Sequence, residues 1–145
     1  MENILSRIKT HFTDKILKTE EMSSRRIYMD FKPEDIPEAA KFIFRDLACR
    51  FITASGMETP AGLEILYHFS QDSTGKVISL RARIADKKNP EIESIAPIIT
   101  GAEWIEREMW ELLGINFKNH PNLKRLLLAE EWPEGKYPLR HNHES

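Results

Sequence analysis

The sequence predicts an α+β fold: a small mixed or antiparallel sheet, helices packed on one of its faces, and an irregular C-terminal arm. Helical spacing of apolar residues is confined to segments near 4–12, 33–48 and 102–113, whereas the middle of the chain alternates apolar and polar residues as strands do. With 145 residues, of which 41% are hydrophobic, the chain can build one core. We therefore expect a domain over 1–114 and an extended arm over 115–145 within the same functional unit.

The first part of the chain predicts a helix, a strand and a second helix. Apolar residues recur at three-to-four spacing over 4–12 and indicate a short amphipathic helix. The segment Arg25–Phe31 alternates and predicts a strand. Pro33 suits a first helical turn, Glu34 and Asp35 suit the positive end of a helix, and the apolar periodicity that follows predicts a helix over Pro33–Ala48.

The middle of the chain predicts β-structure. Strands are expected over Arg50–Met57, Leu63–Phe69 and Ile78–Ile84, and Gln71–Gly75 is rich in turn-forming residues. The last two strands are expected to form an antiparallel hairpin with one solvated face, because every second residue is polar. The segment Glu91–Ala96 is predicted as a short helix stopped by Pro97.

Composition excludes several classes of protein. A net charge of −2 argues against a general nucleic-acid binder, which needs a basic field. The apolar runs are far shorter than a membrane span, so no direct membrane insertion is expected. Cys49 is the only cysteine, which rules out an internal disulfide and a cysteine-ligated iron–sulfur cluster held by this chain alone. Cys49 lies in an apolar stretch and is expected to be a small buried hydrophobe in a reducing, cytoplasmic setting.

A helix over Ala102–Leu113, with Gly114 in the position after its end, has two different faces. Its apolar stripe is predicted to lie against the sheet and comprises Ala102, Ile105, Met109, Leu112 and Leu113. Arg107 lies roughly opposite that stripe, with Glu103 and Glu111 at i±4. Trp104 and Trp110 flank this polar face. Trp and Arg are enriched at interface hot spots, so this polar face has two interpretations: a protein-docking surface or a simple solvated surface.

The residues offer no catalytic constellation. Glu106 and Glu108 diverge around the helix at i and i+2, so they cannot share one substrate. His141 and His143 lie on the C-terminal tail, where solvated histidines are more common than a metal clip. Asn119-His120-Pro121 indicates a turn in which His120 serves as a buried hydrogen-bonding corner. The sequence has no Gly-rich phosphate loop.

One ordered run resembles a known family signature. Glu106-Arg107-Glu108 is followed at 111–114 by an acid, two apolar residues and Gly, and then by His120-Pro121 and the basic pair Lys124-Arg125. Trp132 and Pro138-Leu139-Arg140 complete the pattern. This run resembles the 30 kDa subunit of respiratory complex I, also called the C subunit of NADH:quinone oxidoreductase (NADH dehydrogenase). The specific part covers roughly residues 102–140.

The chain departs from the respiratory pattern at several positions. Glu111 stands where Asp is more common, Leu113 where an aromatic is common, and Asn119 where Gly is common. The stretch 131–140 resembles the version found in membrane-bound, energy-converting [NiFe] hydrogenases and formate hydrogenlyase. A stand-alone subunit of such a hydrogenase is therefore the alternative to an NADH dehydrogenase subunit. A free-standing enzyme or protein-binding module is the remote alternative.

The resemblance implies a peripheral-arm subunit with no catalytic residue, metal or cofactor of its own. Such a subunit docks on the large, 49 kDa-like subunit next to the quinone or [NiFe] site and near the small iron–sulfur subunit, on the cytoplasmic face of a membrane-bound complex. Iron–sulfur clusters and the quinone or nickel–iron centre belong to the partners. The residues expected to form or brace the interface are Glu106, Arg107, Glu108, Trp110, Glu111, His120, Pro121, Arg125, Trp132, Tyr137, Pro138, Leu139 and Arg140.

Two of these residues distinguish docking from internal bracing. Under docking, Arg140 is expected to be a surface residue whose loss leaves the stability of the isolated chain nearly unchanged. In the internal alternative, the arm folds back and Arg107 joins it to the helix through the His120 turn. The two arrangements are compatible, because a brace can also shape an interface.

Overall fold

The computed structural model describes residues 3–123 and 139–140, and it confirms the α+β class. The elements run in the order α1 (Ile4–His11), β1 (Ile16–Glu21), β2 (Arg26–Phe31), α2 (Ile36–Lys41), β3 (Arg50–Thr59), β4 (Gly62–Gln71), β5 (Lys76–Ile84), β6 (Glu91–Glu93), α3 (Glu103–Leu113) and β7 (Asn116–Lys118). A 3₁₀ turn at Pro33–Asp35 and a π turn at Phe42–Asp46 extend α2, so the helical segment predicted over Pro33–Ala48 is confirmed.

The main sheet is mixed and has five strands in the order β1-β2-β5-β4-β3. β2 pairs with β5 in parallel, and the other neighbouring pairs are antiparallel. The predicted β4–β5 hairpin is present, and Gly75 at its turn has a φ of 74°, a left-handed conformation that glycine adopts without steric cost. β6 and β7 form a separate parallel pair. β1 and β3 are thus the two edges of the main sheet.

One face of the sheet is apolar and carries the core. Ile27 lies beside Ile78, and Met29 and Tyr67 both lie beside Leu80, all of them buried. α1 and α2 cover this face, as predicted; for example, the ring of Phe12 meets that of Phe31 edge-on at 5.6 Å between centroids.

The opposite face is polar and is held by ion pairs between strands. Arg81 Nη1 lies 3.4 Å from Asp30 Oδ1 and 3.3 Å from Glu20 Oε1, which ties β5 to β2 and β1. Arg83 Nε lies 3.1 Å from Glu64 Oε1 and so ties β5 to β4. The predicted solvated face of the hairpin is therefore polar, but its charges are paired across the strands.

Two segments differ from the prediction. β1 is not predicted from the sequence, because its burial pattern lacks a clean alternation and the pairing shifts register between Ile16 and Lys18. The short helix predicted over Glu91–Ala96 is wrong: Glu91–Glu93 is a strand that pairs with β7. The backbone N–H of Ser94 donates to the carbonyl of Lys118, so the hydrogen bonds that a helix would satisfy locally are made with distant partners.

Other local predictions are confirmed. Cys49 is buried, with 2% of its surface exposed, and burial raises the pKa of its thiol to about 11. Gly114 ends α3 with a φ of 78°, and its N–H donates to the Trp110 carbonyl, as expected of a left-handed residue after a helix. Ile115 and Phe117, just beyond that end, are buried in the core.

Candidate docking site on helix α3

Helix α3 buries charged residues in addition to most of its predicted apolar stripe. Ala102, Met109 and Leu113 are buried as expected, and Ile105 packs against the core but is only half-buried, as is Leu112. Glu106, Arg107 and Glu111 are buried as well, with exposures of 0%, 7% and 3%.

Glu106 is held by hydrogen bonds from a neighbouring turn. The hydroxyl of Ser94 donates to Glu106 Oε1 at 2.5 Å, and the backbone N–H of Ile95 donates to Oε2 at 2.9 Å. The Ser94 hydroxyl oxygen in turn accepts from the N–H of Ala96 at 3.0 Å. One carboxylate therefore fixes the turn at 94–96 against α3, in the manner of an internal anion-binding loop.

The surroundings of Glu106 disfavour its ionised form. Burial raises the pKa of Glu106 to about 7, although the hydrogen bonds from Ser94 and Ile95 oppose that rise. Tyr67 lies on the sheet below, and its buried hydroxyl has no hydrogen-bond partner in the described part of the chain. Burial and the Glu106 carboxyl raise the pKa of the Tyr67 hydroxyl well above its ordinary value.

His120 forms the buried corner that its turn predicts. Its side chain is fully buried, with Nε2 2.9 Å from the Glu103 carbonyl and 3.9 Å from Glu106 Oε1. The N–H of Asn122 donates to His120 Nδ1 at 2.9 Å. Since Nδ1 accepts that hydrogen bond, Nε2 carries the proton and donates to Glu103, which is the neutral tautomer. His120 thus holds the chain after β7 on the first turn of α3.

Arg140 closes the other end of the same helix. Its Nε donates to the Leu113 carbonyl at 2.9 Å and its Nη2 to the Lys87 carbonyl at 2.7 Å, while the N–H of Leu139 donates to the Leu112 carbonyl at 3.0 Å. Carbonyls in the last turn of a helix lack partners inside the helix, and a cation there also complements the helix dipole. The expectation that Arg140 is a plain surface residue is wrong, because it is half-buried and caps α3.

An open groove of about 170 Å³ lies between α3 and the edge strand β3. Ala54, Ser55 and Gly56 form the wall on β3, and the helix wall and rim consist of Ile105, Glu108, Met109, Leu112, Leu113 and Leu139. Gly56 is what lets the helix approach: a Cβ atom at this position would lie 2.8 Å from Leu113 Cδ1 and 3.1 Å from Met109 Sδ. The groove residues Ser55 and Gly56 were not among the predicted site residues, although a glycine inside a strand is a known signal of close approach.

The predicted interface residues lie at different depths. Glu108 is half-buried on the groove wall, and Trp110 is half-buried against the core. Pro121 is exposed and Leu139 is 53% exposed, whereas Arg107 is buried with its guanidinium 5.8 Å from the Trp104 ring centroid. Arg125, Trp132, Tyr137 and Pro138 lie outside the described residues. The expectation that Arg107 sits on an outward face is wrong for the chain by itself, and the interface role of all these residues stays a prediction.

The described part of the chain shows neither a metal cluster nor a membrane-spanning helix. Within residues 3–123 and 139–140, no group of three or more His, Cys, Asp or Glu side chains is placed to hold a metal ion. No helix in the same ranges is long and apolar enough to cross a membrane.

The fold and this site define a class of small α+β protein in which a charged helix is anchored from within, by a buried carboxylate at one point and by a histidine and an arginine at its ends. The particular family follows from comparison with known proteins. The chain belongs to the family described as respiratory-chain NADH dehydrogenase, 30 Kd subunit, whose model matches residues 29–145. The resemblance found in the run from Glu106 onwards is thereby confirmed.

Individual relatives match over different lengths. The C subunit of the F(420)H(2) dehydrogenase of Methanosarcina mazei is 42% identical over 94 residues, which cover 63% of this chain and 58% of that protein. The C subunit of the NADH-quinone oxidoreductase of Roseiflexus sp. (strain RS-1) is 31% identical over 147 residues, covering 94% of this chain and 80% of the relative. In the C/D subunit of the NADH-quinone oxidoreductase of Phocaeicola vulgatus, the matched part is 16% of the protein, at 36% identity. The match thus spans less than two thirds of the Methanosarcina relative and a small part of the Phocaeicola one.

Solved structures share the fold. A chain in the membrane-bound sulfane sulfur reductase (MBS), an archaeal respiratory membrane complex, superposes with a TM-score of 0.80 at 18% identity, covering 93% of this chain and 80% of that one. The trypsin-resistant fragment of Nqo5 superposes with a TM-score of 0.62 at 16% identity, covering 83% and 96%.

Proposed function

We propose that this chain is a non-catalytic peripheral subunit of a membrane-associated oxidoreductase of the complex I type. It docks on the large, 49 kDa-like subunit next to the quinone or [NiFe] site, and the small iron–sulfur subunit lies nearby. The iron–sulfur clusters and the quinone or nickel–iron centre are carried by those partners. The assembly lies on the cytoplasmic face of the membrane.

The observation that carries this proposal is that polar groups on and next to α3 form hydrogen bonds within the chain itself. Glu106 accepts hydrogen bonds from Ser94 and Ile95, and His120 donates to the Glu103 carbonyl, so both side chains are engaged with this chain's own backbone or side chains. Groups held in this way define the shape of a surface and are not presented to a substrate.

The names of the relatives give independent support. They include an F(420)H(2) dehydrogenase and NADH-quinone oxidoreductases, and the fold also occurs in a sulfane sulfur reductase. A module that occurs in complexes with such different substrates is expected to carry a task common to all of them, such as assembly. The electron donor is then set by other subunits.

The hydrogenase-type alternative rests on the stretch 131–140, whose resemblance favours energy-converting [NiFe] hydrogenases. The two versions differ in the large subunit: a nickel site requires cysteine pairs in that partner, and a quinone site does not. Hydrogen-dependent reduction of a dye by the purified complex would favour the hydrogenase version, and quinone reduction without it would favour the respiratory version.

The test is purification of the full chain, carrying an affinity tag, from detergent-solubilised membranes of its own host. We expect the large subunit and the small iron–sulfur subunit to co-purify in equal amounts with the tagged chain, and deletion of the chain to remove the assembled complex from the membrane. The full chain purified alone is expected to show no visible absorbance band. A chain that is recovered without other subunits from intact membranes, or that carries a stoichiometric chromophore of its own, would refute the proposal.

A further inference from the structure

The outward face of α3 carries apolar as well as charged side chains. Trp104, Ile105, Glu108 and Leu112 lie within an arc of about 100° by the helical period, and none of the four is fully buried. Trp104 is 57% exposed, and Ile105 and Leu112 are half-buried. Ile105 also packs against the core, so this face borders the core on its β3 side and is open to solvent at Trp104.

The groove beside this face has room for one apolar side chain of a partner. Its volume of about 170 Å³ is comparable to the space that a benzene-sized group fills in a protein interior. Leu139 stands at the rim and is 53% exposed. β3 forms the other wall and is an edge strand, so no further strand of the described sheet covers that side.

Glu108 gives the groove its charge preference. The residue is half-buried on the groove wall, among Ile105, Met109 and Leu112, and its carboxylate has no hydrogen bond or ion pair within residues 3–123 and 139–140. A carboxylate that is partly removed from water next to apolar groups is stabilised by a cation brought to it. An incoming Lys or Arg would supply that cation, and Arg would in addition match the carboxylate with two parallel hydrogen bonds.

We propose that the groove between β3 and the outward face of α3 docks a partner-subunit segment that carries a large apolar side chain and, next to it, an Arg or Lys. The apolar side chain fills the groove, and the basic side chain pairs with Glu108. This inference rests on the proposed function, because it needs a partner subunit, and it specifies the chemistry of the partner's contact.

Two variants of the tagged full chain test the inference in assembled complexes. Glu108→Lys reverses the charge at the groove wall, and Leu139→Asp places a charge at the apolar rim, where the side chain is 53% exposed. We expect each to reduce recovery of the large subunit at least tenfold, while the thermal unfolding midpoint of the isolated full chain stays unchanged. Glu21→Lys is the matched control: it makes the same charge change on β1, at the opposite edge of the sheet, and is expected to assemble like wild type.

Photo-crosslinking in the purified complex identifies the partner segment that lies in the groove. A benzophenone amino acid at Leu112 is expected to capture a peptide of another subunit that contains an Arg or Lys within a few residues of a large apolar side chain. Capture of a peptide without a basic residue, capture of a second copy of this chain, or normal assembly of both Glu108→Lys and Leu139→Asp would overturn the inference. If wild type itself recovers no other subunit, the proposed function fails; if wild type assembles and the variants do too, only the groove assignment fails.

Discussion

Replacing Glu106 by Gln is expected to remove a pH dependence of stability that the buried carboxyl creates. Burial raises the pKa of Glu106 from 4.5 to about 7 in the folded chain. A raised pKa means that the folded state binds the proton more tightly than the unfolded state does. The stabilisation by protonated Glu106 is therefore fully present below about pH 4.5 and is lost as the pH rises through about 7.

The size of the effect follows from that pKa. At about 1.4 kcal/mol per pH unit, a rise from 4.5 to about 7 corresponds to about 3 kcal/mol of unfolding free energy. Gln keeps one oxygen to accept a hydrogen bond from Ser94 or Ile95, and it does not ionise. The difference in stability between wild type and Glu106→Gln is expected to be constant at low pH and to shift by about 3 kcal/mol in favour of the variant between about pH 4.5 and pH 8.

The assay is urea unfolding of the full chain, followed by tryptophan fluorescence at a series of pH values. Glu21→Gln, at an exposed position on β1, is the control: it shows how the loss of one surface charge changes the pH dependence of stability. The slope of free energy against urea concentration should be the same in the variants, which shows that the unfolded states are comparable. Curves for wild type and Glu106→Gln that run parallel across this pH range would refute the assignment of Glu106 as a buried, hard-to-ionise anchor.

Three further predictions concern packing, capping and reactivity. Met109→Ala removes a side chain that is 4% exposed and is expected to destabilise the chain by about 2–5 kcal/mol in urea unfolding, so an unchanged midpoint would contradict the packing of α3 on the sheet. Arg140→Ala leaves the Leu113 and Lys87 carbonyls without these donors and is expected to cost about 1–3 kcal/mol in a thermal melt, whereas a change below about 0.5 kcal/mol would show that the cap contributes nothing. The Cys49 thiol, whose pKa burial raises to about 11, is expected to resist iodoacetamide at pH 8 until the chain is unfolded in urea, and rapid alkylation of the native chain would contradict its burial.

Local pattern determined most of the elements. The alternation in β4 and β5 predicts strands because their alternate residues face a core and a polar surface, and Gln71–Gly75 contains the residues that a tight turn needs. Helical spacing predicts α1, α2 and α3 with their ends close to the observed bounds, and Gly114 is found in the left-handed conformation that its position indicates. The ordered run from Glu106 onwards was specific enough to indicate the family.

The burial of charged residues on α3 was decided only in three dimensions. The apolar stripe of α3 predicts the burial of Met109 and Leu113, but it gives no sign that Glu106 is buried beside them. Ser94 and Ile95 supply the hydrogen bonds that make this burial possible, and no helical period can reveal them, because they lie in a different segment of the chain. The same limit applies to β6, whose pairing with β7 is made across more than twenty residues of sequence. Sequence alone thus determined most of the helices and strands, while tertiary hydrogen bonds decided which charged residues of α3 are buried, because those bonds join residues that have no regular spacing.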